Sequence, residues 1–301
     1  MEQNTTNSTP GIKRSWEGVP IRSELSKPQS AAPTMAESSE LSPNILSMFE
    51  TFRDELDQHH DRRERLIKIS RDITALSKKI IFSLQRVRTA NTPLPASIQK
   101  DTQSRFTQIN ELFRSTLPDI TGLNSRRYLR QLSGGIQEFI EALSFHHYLT
   151  CQTLITRDEV AAHLPAEIIV TEEDYAMGLF DLTGELMRFA VTSLSAGAGD
   201  TRAHEGGEGE RKEGQSNLPR LPPAQAGVVR DLREIRAEFE SITIPRRHNN
   251  SMFRDYGKKS DVMQSSVEKV ERAAYGILVR GSERPAGWKP DLSAGVEMDA
   301  Y

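Results

Sequence analysis

Apolar residues recur three and four positions apart along most of this 301-residue chain, and this spacing constrains its fold more than any other feature. After Ser42 and Pro43, a pair typical of a helix start, the spacing continues as far as Val87. The prolines at 93 and 95 then end it. The pattern predicts one long helix from Ser42 to Val87.

The same spacing predicts five further helices, near residues 97–117, 125–156, 171–194, 228–242 and 252–279. Residues 158–164 fit either a short helix or a loop. No alternating strand pattern and no repeat of 20 to 50 residues accompanies them. We therefore predict an all-α fold, an elongated antiparallel helical bundle of about six to seven helices.

Composition divides the chain into a folded region and three segments that lack apolar periodicity. Residues 1–40 are rich in Ser, Thr, Pro and Glu, which predicts a disordered N-terminal tail. Residues 41–285 form the predicted helical domain, interrupted by a flexible Gly- and Glu-rich insertion at about 195–225. Residues 286–301 are expected to be a disordered C-terminal tail.

Charge and cysteine content exclude several classes of protein. The 39 Lys and Arg residues and 42 Asp and Glu residues give a net charge of -3, so a basic surface for nucleic acid has to be local. The single cysteine, Cys151, excludes a disulfide framework and a cysteine-rich zinc site. Neither a signal peptide nor an apolar run of about 20 residues is recognisable, so we expect an intracellular protein without a membrane segment.

Four carboxylates lie on two helices that are otherwise nearly devoid of polar residues. Glu138 and Glu141 are three positions apart, and Asp181 and Glu185 are four apart, so each pair shares a helix face. An ionised carboxylate in apolar surroundings is costly unless it is paired, protonated or bound to a cation. Magnesium, which takes oxygen ligands, would satisfy this need and favour phosphodiester hydrolysis.

Structural ion pairs are the competing interpretation of the same acids. Glu185 could pair with Arg188, and Glu138 and Glu141 could form ion pairs with basic residues of the first helix. On the residues alone this is the simpler explanation.

Basic residues also cluster on the polar side of the first helix and could follow a nucleic-acid backbone, although solvated charged faces are common. The candidate contacts are Arg62, Arg65, Lys68, Arg71, Lys78 and Lys79.

Blocks of sequence spread over most of residues 45–285 resemble the translin family, and in particular its translin-associated factor X (TRAX) branch. The matching blocks include residues 52–57, 64–74, 137–142, 174–175, 181–188, 267–271 and 279–283. The run from Leu182 to Arg188 and the run from Val279 to Glu283 are more similar to TRAX than to translin itself.

The resemblance implies a translin-like all-α subunit that joins translin in a closed hetero-oligomer, expected to be an octameric shell in the cytoplasm and nucleus. It implies an endoribonuclease that uses Mg²⁺, or Mn²⁺ in its place, on single-stranded RNA such as passenger strands in RNA silencing and precursor-tRNA fragments. Binding of single-stranded DNA is a further expectation.

Carried over position by position, the resemblance gives Glu138, Glu141 and Asp181 to the metal and places Glu185 beside them in the catalytic set. The alternative is a non-catalytic helical adaptor that stabilises translin and adds nucleic-acid-binding surface.

Overall fold

Helices account for the regular secondary structure of the computed structural model, which describes residues 43–197, 221–242 and 255–280. Within these ranges there is no β-strand, so the predicted all-α class is confirmed. A single 3-10 turn, Leu117–Asp119, follows the second of eight described α-helices. The helices are α1 Pro43–Leu84, α2 Ala96–Thr116, α3 Asn124–Arg127, α4 Leu129–Cys151, α5 Arg157–Ala162, α6 Glu172–Gly197, α7 Pro223–Ser241 and α8 Tyr256–Arg280.

The chain divides into two units, residues 1–52 and residues 53–301. The described part of the first unit is the beginning of α1, where the large apolar side chains are exposed: Ile45, Leu46, Met48, Phe49 and Phe52. The second unit contains the rest of α1, the described helices α2 to α8 and the buried core. The predicted tails at 1–40 and 286–301, and most of the predicted insertion at 195–225, lie outside the described residues.

Helix α1 ends three residues earlier than the apolar spacing predicted. The N–H of Arg86 bonds to the Ser83 carbonyl and that of Val87 to the Leu84 carbonyl, so the chain tightens into turns after Leu84. Val87 is nevertheless 5% exposed. Val87 therefore continues the apolar pattern of α1 because it is buried, although it lies outside the helix.

The predicted helix over 125–156 is interrupted at Tyr128, which separates the single turn of α3 from α4. Tyr128 is buried, and its hydroxyl lies 2.5 Å from Nδ1 of His59 on α1. The segment after α4, which fitted either a helix or a loop, forms the short helix α5. Thr156 and Glu159 cap its start reciprocally, since each side chain bonds to the other residue's backbone N–H.

Helix α4 is apolar on nearly all sides because it packs between α1 and α6. On the α1 side, the N–H of Gly135 donates to the Ser70 hydroxyl over 3.0 Å. On the α6 side, a β-carbon at Gly178 would lie 2.7 Å from Cγ2 of Ile140, so only glycine permits this approach. The fully buried α4 side chains include Ile136, Ile140, Ala142, Phe145 and Leu149.

Helices α4 and α6 run in the same direction, whereas α7 and α8 are antiparallel neighbours. Gln137 and Ile140 of α4 meet Asp174 and Gly178 of α6 in the same order along both helices. The crossover through α5 permits this arrangement. It brings the middle of α4 level with the middle of α6.

In the part of the chain that the structure describes, no helix is both long and apolar enough to span a bilayer.

Candidate carboxylate site

The four predicted acids come together where α4 and α6 lie side by side. Glu185 is 5% exposed and Glu141 is 9% exposed, so both carboxyl groups are largely removed from water. The pKa of Glu141 is raised to about 8. Burial is the largest cause, and the negative charges of Asp181, Glu138 and Glu185 add to it. Glu141 is therefore close enough to interact electrostatically with the other three acids. We call these four residues the carboxylate cluster.

Three members of the carboxylate cluster contact cations of the chain itself. Lys78 of α1 lies 3.2 Å from Glu138. Arg188 pairs with Glu185, three residues before it, as the ion-pair interpretation predicted.

Lys259 of α8 donates to both carboxylate oxygens of Asp181 over 2.6 Å. Gln85, which follows α1, also donates to Glu185 over 2.6 Å. The ion-pair interpretation therefore accounts for three of the four acids.

Glu141 departs from the ion-pair interpretation. No hydrogen bond from the described residues stabilises its charged form, and only the charge of Lys259 opposes the neighbouring acids. Beside it, Oε2 of Glu138 is buried and has no hydrogen-bond partner among the described residues. A buried oxygen acceptor without a donor is costly, and a cation would satisfy it.

This donor set is chemically suited to Mg²⁺, because every candidate ligand is a carboxylate oxygen. In the described part of the chain, however, no three acidic, histidine or cysteine side chains converge closely enough to hold a metal ion as they stand. Three of the four acids instead contact protein cations. Metal binding by Glu138, Glu141 and Asp181 stays a prediction, and it requires these side chains to exchange partners.

Asp174 fixes the beginning of α6 against α4. It is 2% exposed and accepts hydrogen bonds from Gln137 over 2.9 Å and from the hydroxyl groups of Ser133 and Thr171. Thr171 in turn caps α6, because its hydroxyl accepts the N–H of Asp174. The network holds the two acid-bearing helices in register one turn before Gly178.

The predicted basic stripe of α1 separates into two groups. Arg62 and Arg65 contact Asp119, and Lys78 contacts Glu138, so these three already have acidic partners. The other three, which are exposed and form no ion pair with the described residues, are Lys68, Arg71 and Lys79. We call this second group the open cations.

Sequence reasoning missed Lys259, Gln85 and Phe82. Lys259 is 78 residues from Asp181, and Gln85 is 100 residues from Glu185, so no local spacing connects either residue to the cluster. Phe82 is 71% exposed and lies three and four residues after Lys79 and Lys78. A helical wheel of α1 would have shown this aromatic ring among the cations.

Comparisons with known proteins agree with the resemblance found in the sequence. The model of the translin family matches residues 61–281. Translin-associated protein X of Mus musculus is 30% identical over 276 residues, covering 84% of this chain and 84% of that protein. Translin of Homo sapiens is 22% identical over 251 residues, covering 79% of this chain and 94% of that protein.

Among solved structures, apo-NeC3PO superimposes with a TM-score of 0.54 at 15% identity and covers 78% of this chain and 97% of its own. At that identity, the likeness shows a shared helical fold.

Proposed function

Because this chain belongs to the translin family, and within it to the branch of translin-associated protein X, we propose that it is the catalytic subunit of a translin-containing hetero-oligomer. The proposed activity is Mg²⁺-dependent endonucleolytic cleavage of single-stranded RNA. One observation carries the proposal: four carboxylates cluster in an apolar helix interface, and the buried Glu141 among them has no cation of its own.

The carboxylate cluster supports a metal role because Glu141 has no cation of its own and Oε2 of Glu138 has no hydrogen-bond partner among the described residues. Glu138, Glu141 and Asp181 would hold the cation, since these carboxylates lie on the two facing helices. A divalent ion held there would supply Lewis acidity toward the phosphodiester and lower the pKa of a bound water. Glu185, held by Gln85 and Arg188, would position or deprotonate the attacking water from the edge of the site.

The same surface offers contacts for a single strand. Lys78 reaches Glu138, so the basic stripe of α1 extends to the carboxylate cluster. The open cations would neutralise successive phosphates, and the exposed ring of Phe82 would stack on a base. Binding of this kind is indifferent to sequence, which suits single-stranded RNA and also single-stranded DNA.

A translin partner is proposed from family membership, because the relatives of this branch are named as translin-associated. Basic side chains of the partner would complete the path of the strand. Trimming of passenger strands and of precursor-tRNA fragments, in cytoplasm and nucleus, is the corresponding cellular role that we propose.

The test is cleavage of a labelled single-stranded RNA by the full chain co-purified with translin, in Mg²⁺ and in EDTA. We expect Glu138→Gln to reduce cleavage at least about 100-fold, as loss of a group that stabilises transition-state charge does. Assembly with translin should be unchanged. Glu173→Gln, a change on α6 outside the cluster, is the matched control and should keep full activity.

A helical adaptor is the second candidate, and a specific observation favours it. Glu138, Asp181 and Glu185 each already contact a protein cation, as purely structural acids do. RNA binding without cleavage, unaffected by EDTA and by Glu138→Gln, would establish the adaptor and reject the nuclease.

A further inference from the structure

The ammonium group of Lys259 is positioned against the carboxylate cluster by α8. Its Nζ lies 2.6 Å from each of the two Asp181 carboxylate oxygens and 3.4 Å from the Met177 carbonyl oxygen. The Lys259 side chain is 26% exposed and the Asp181 side chain 42%, so the pair is partly shielded from water. Lys259 thus holds both oxygens of one proposed metal ligand.

The other two cations at the cluster leave oxygens available. Lys78 contacts Oε1 of Glu138, whose Oε2 has no hydrogen-bond partner in the described structure. Lys78 and Arg188 are also 65% and 54% exposed, so water can replace either one at little cost. Lys259 differs from them because it is the most buried of the three and contacts both oxygens of its acid.

A divalent cation that binds between the two carboxylate oxygens of Asp181 needs the position that the Lys259 ammonium occupies. Magnesium takes carboxylate oxygens at about 2.1 Å. An ammonium at 2.6 Å from both oxygens occupies the same space, and the two positive charges repel each other. The two cations therefore compete for this side of the Asp181 carboxylate.

We propose that Lys259 competes with the divalent cation for Asp181. Lys259 occupies Asp181 in the metal-free protein and leaves it when metal binds. This competition sets the metal affinity of the site. This inference rests on the proposed metal-holding role of the carboxylate cluster. It assigns to α8 a regulatory contact with chemistry carried by α4 and α6.

The unmodified protein offers the first test. The full chain is treated briefly with an amine-acylating reagent, with and without millimolar Mg²⁺, and modification of each lysine is measured by mass spectrometry. Release from Asp181 should raise the acylation rate of Lys259 several-fold in Mg²⁺. The neighbouring Lys258, which is exposed, is the internal reference and should not change. An equal rate at Lys259 with and without Mg²⁺ would contradict the proposal.

The second test measures binding of Mn²⁺ alone to the full chain by electron paramagnetic resonance. Lys259→Gln should bind Mn²⁺ about fivefold tighter, the change expected when a competing ion pair worth about 1 kcal/mol is removed. Lys259→Arg keeps the competing charge and should retain an affinity close to that of the unmodified chain. Lys258→Gln, the matched control, should also leave the affinity unchanged.

The outcomes separate this inference from the proposed function. If Asp181→Asn abolishes Mn²⁺ binding while a folded Lys259→Gln binds no tighter than the unmodified chain, the competitor role is wrong and the metal site stands. If no form of the chain binds Mn²⁺, the metal-dependent function fails, and the competitor role fails with it.

Discussion

Single residues of the carboxylate cluster differ in what neutralises them. Glu138, Asp181 and Glu185 contact Lys78, Lys259 and Arg188 respectively. Glu141 is neutralised by a proton instead, because burial and the three neighbouring acids raise its pKa to about 8. Near neutral pH the cluster therefore contains a carboxylic acid that ionises readily once a cation arrives.

Replacement of Glu141 by Gln should change how stability depends on pH. The pKa of Glu141 rises from 4.5 to about 8 on folding, so in that window the unfolded chain loses a proton that the folded chain keeps. The free energy of unfolding consequently falls as pH rises from 4.5 to about 8. Glu141→Gln removes this loss and should gain up to a few kcal/mol relative to the unmodified chain across the window, at about 1.4 kcal/mol per pKa unit.

Urea denaturation of the full chain without divalent ions, at the two ends of that window, checks this prediction. Glu268→Gln changes an exposed acid on α8 and serves as the control. Parallel pH profiles for the Glu141→Gln form and the unmodified chain would show that Glu141 is not held protonated.

Pairs of helices determine whether these acids meet at all. Helix α6 approaches α4 closely at Gly178, where a β-carbon would lie 2.7 Å from Ile140 and 2.9 Å from the Gln137 carbonyl oxygen. By contrast, a β-carbon at Gly184 would have no neighbour within 4 Å. Two glycines of the same helix thus have opposite structural roles.

Alanine substitutions at these two glycines should act in opposite directions. Gly178→Ala forces α4 and α6 apart and should destabilise the chain by about 1–3 kcal/mol, the usual range for overpacking. Gly184→Ala has room and replaces a poor helix former, so it should be neutral or stabilising by up to about 1 kcal/mol. Thermal or urea unfolding of the two variants compares them directly, and equal effects would contradict the close-packing explanation.

Local spacing predicted the elements better than their interruptions. The spacing of Glu138 with Glu141 and of Asp181 with Glu185 placed each pair on one face, because that depends only on helix geometry. The break at Tyr128 carries no Gly or Pro, and it accompanies a tertiary contact with His59.

The contacts of Lys259 and Gln85 with the carboxylate cluster had no signal in the sequence. The Lys259 contact depends on how α8 packs on α6, and the Gln85 contact joins residues 100 positions apart. Spacing could suggest that the acids need cations. It identified Arg188 for Glu185, three positions away, but it could not identify the cations on distant elements.

The whole molecule is close to electrically neutral, with a net charge of -3, so its proposed attraction for RNA depends on where charges lie. The open cations of α1 have no acidic partner among the described residues, whereas other basic residues of the stripe are already paired. Long-range attraction to a phosphate backbone should therefore come mainly from this surface.

Removal of the open cations should weaken RNA binding in a salt-dependent manner. In the complex with translin, a triple change to Gln at Lys68, Arg71 and Lys79 should reduce the slope of log affinity against log salt by about 2. This follows from a loss of about 0.7 per phosphate contact on a single strand. Fluorescence anisotropy with a labelled single strand at several salt concentrations measures the slope.

The control makes the same change in net charge on α7 and α8, by a triple replacement with Gln of Arg230, Arg233 and Arg272. All three are exposed, and they lie far along the chain from the stripe. An equal loss of slope in the control would mean that overall charge, rather than the α1 surface, governs binding.

The position of Lys259 on α8 has a consequence for the newly made chain. Lys259 leaves the ribosome 78 residues after Asp181, an interval of about 4 to 16 s at roughly 5–20 residues per second. Throughout synthesis of that stretch, the carboxylate of Asp181 has no ammonium group of its own. A divalent ion that binds during translation would reach its ligands before Lys259 has been synthesised. Nascent chains should therefore bind the metal more readily than finished, metal-free chains.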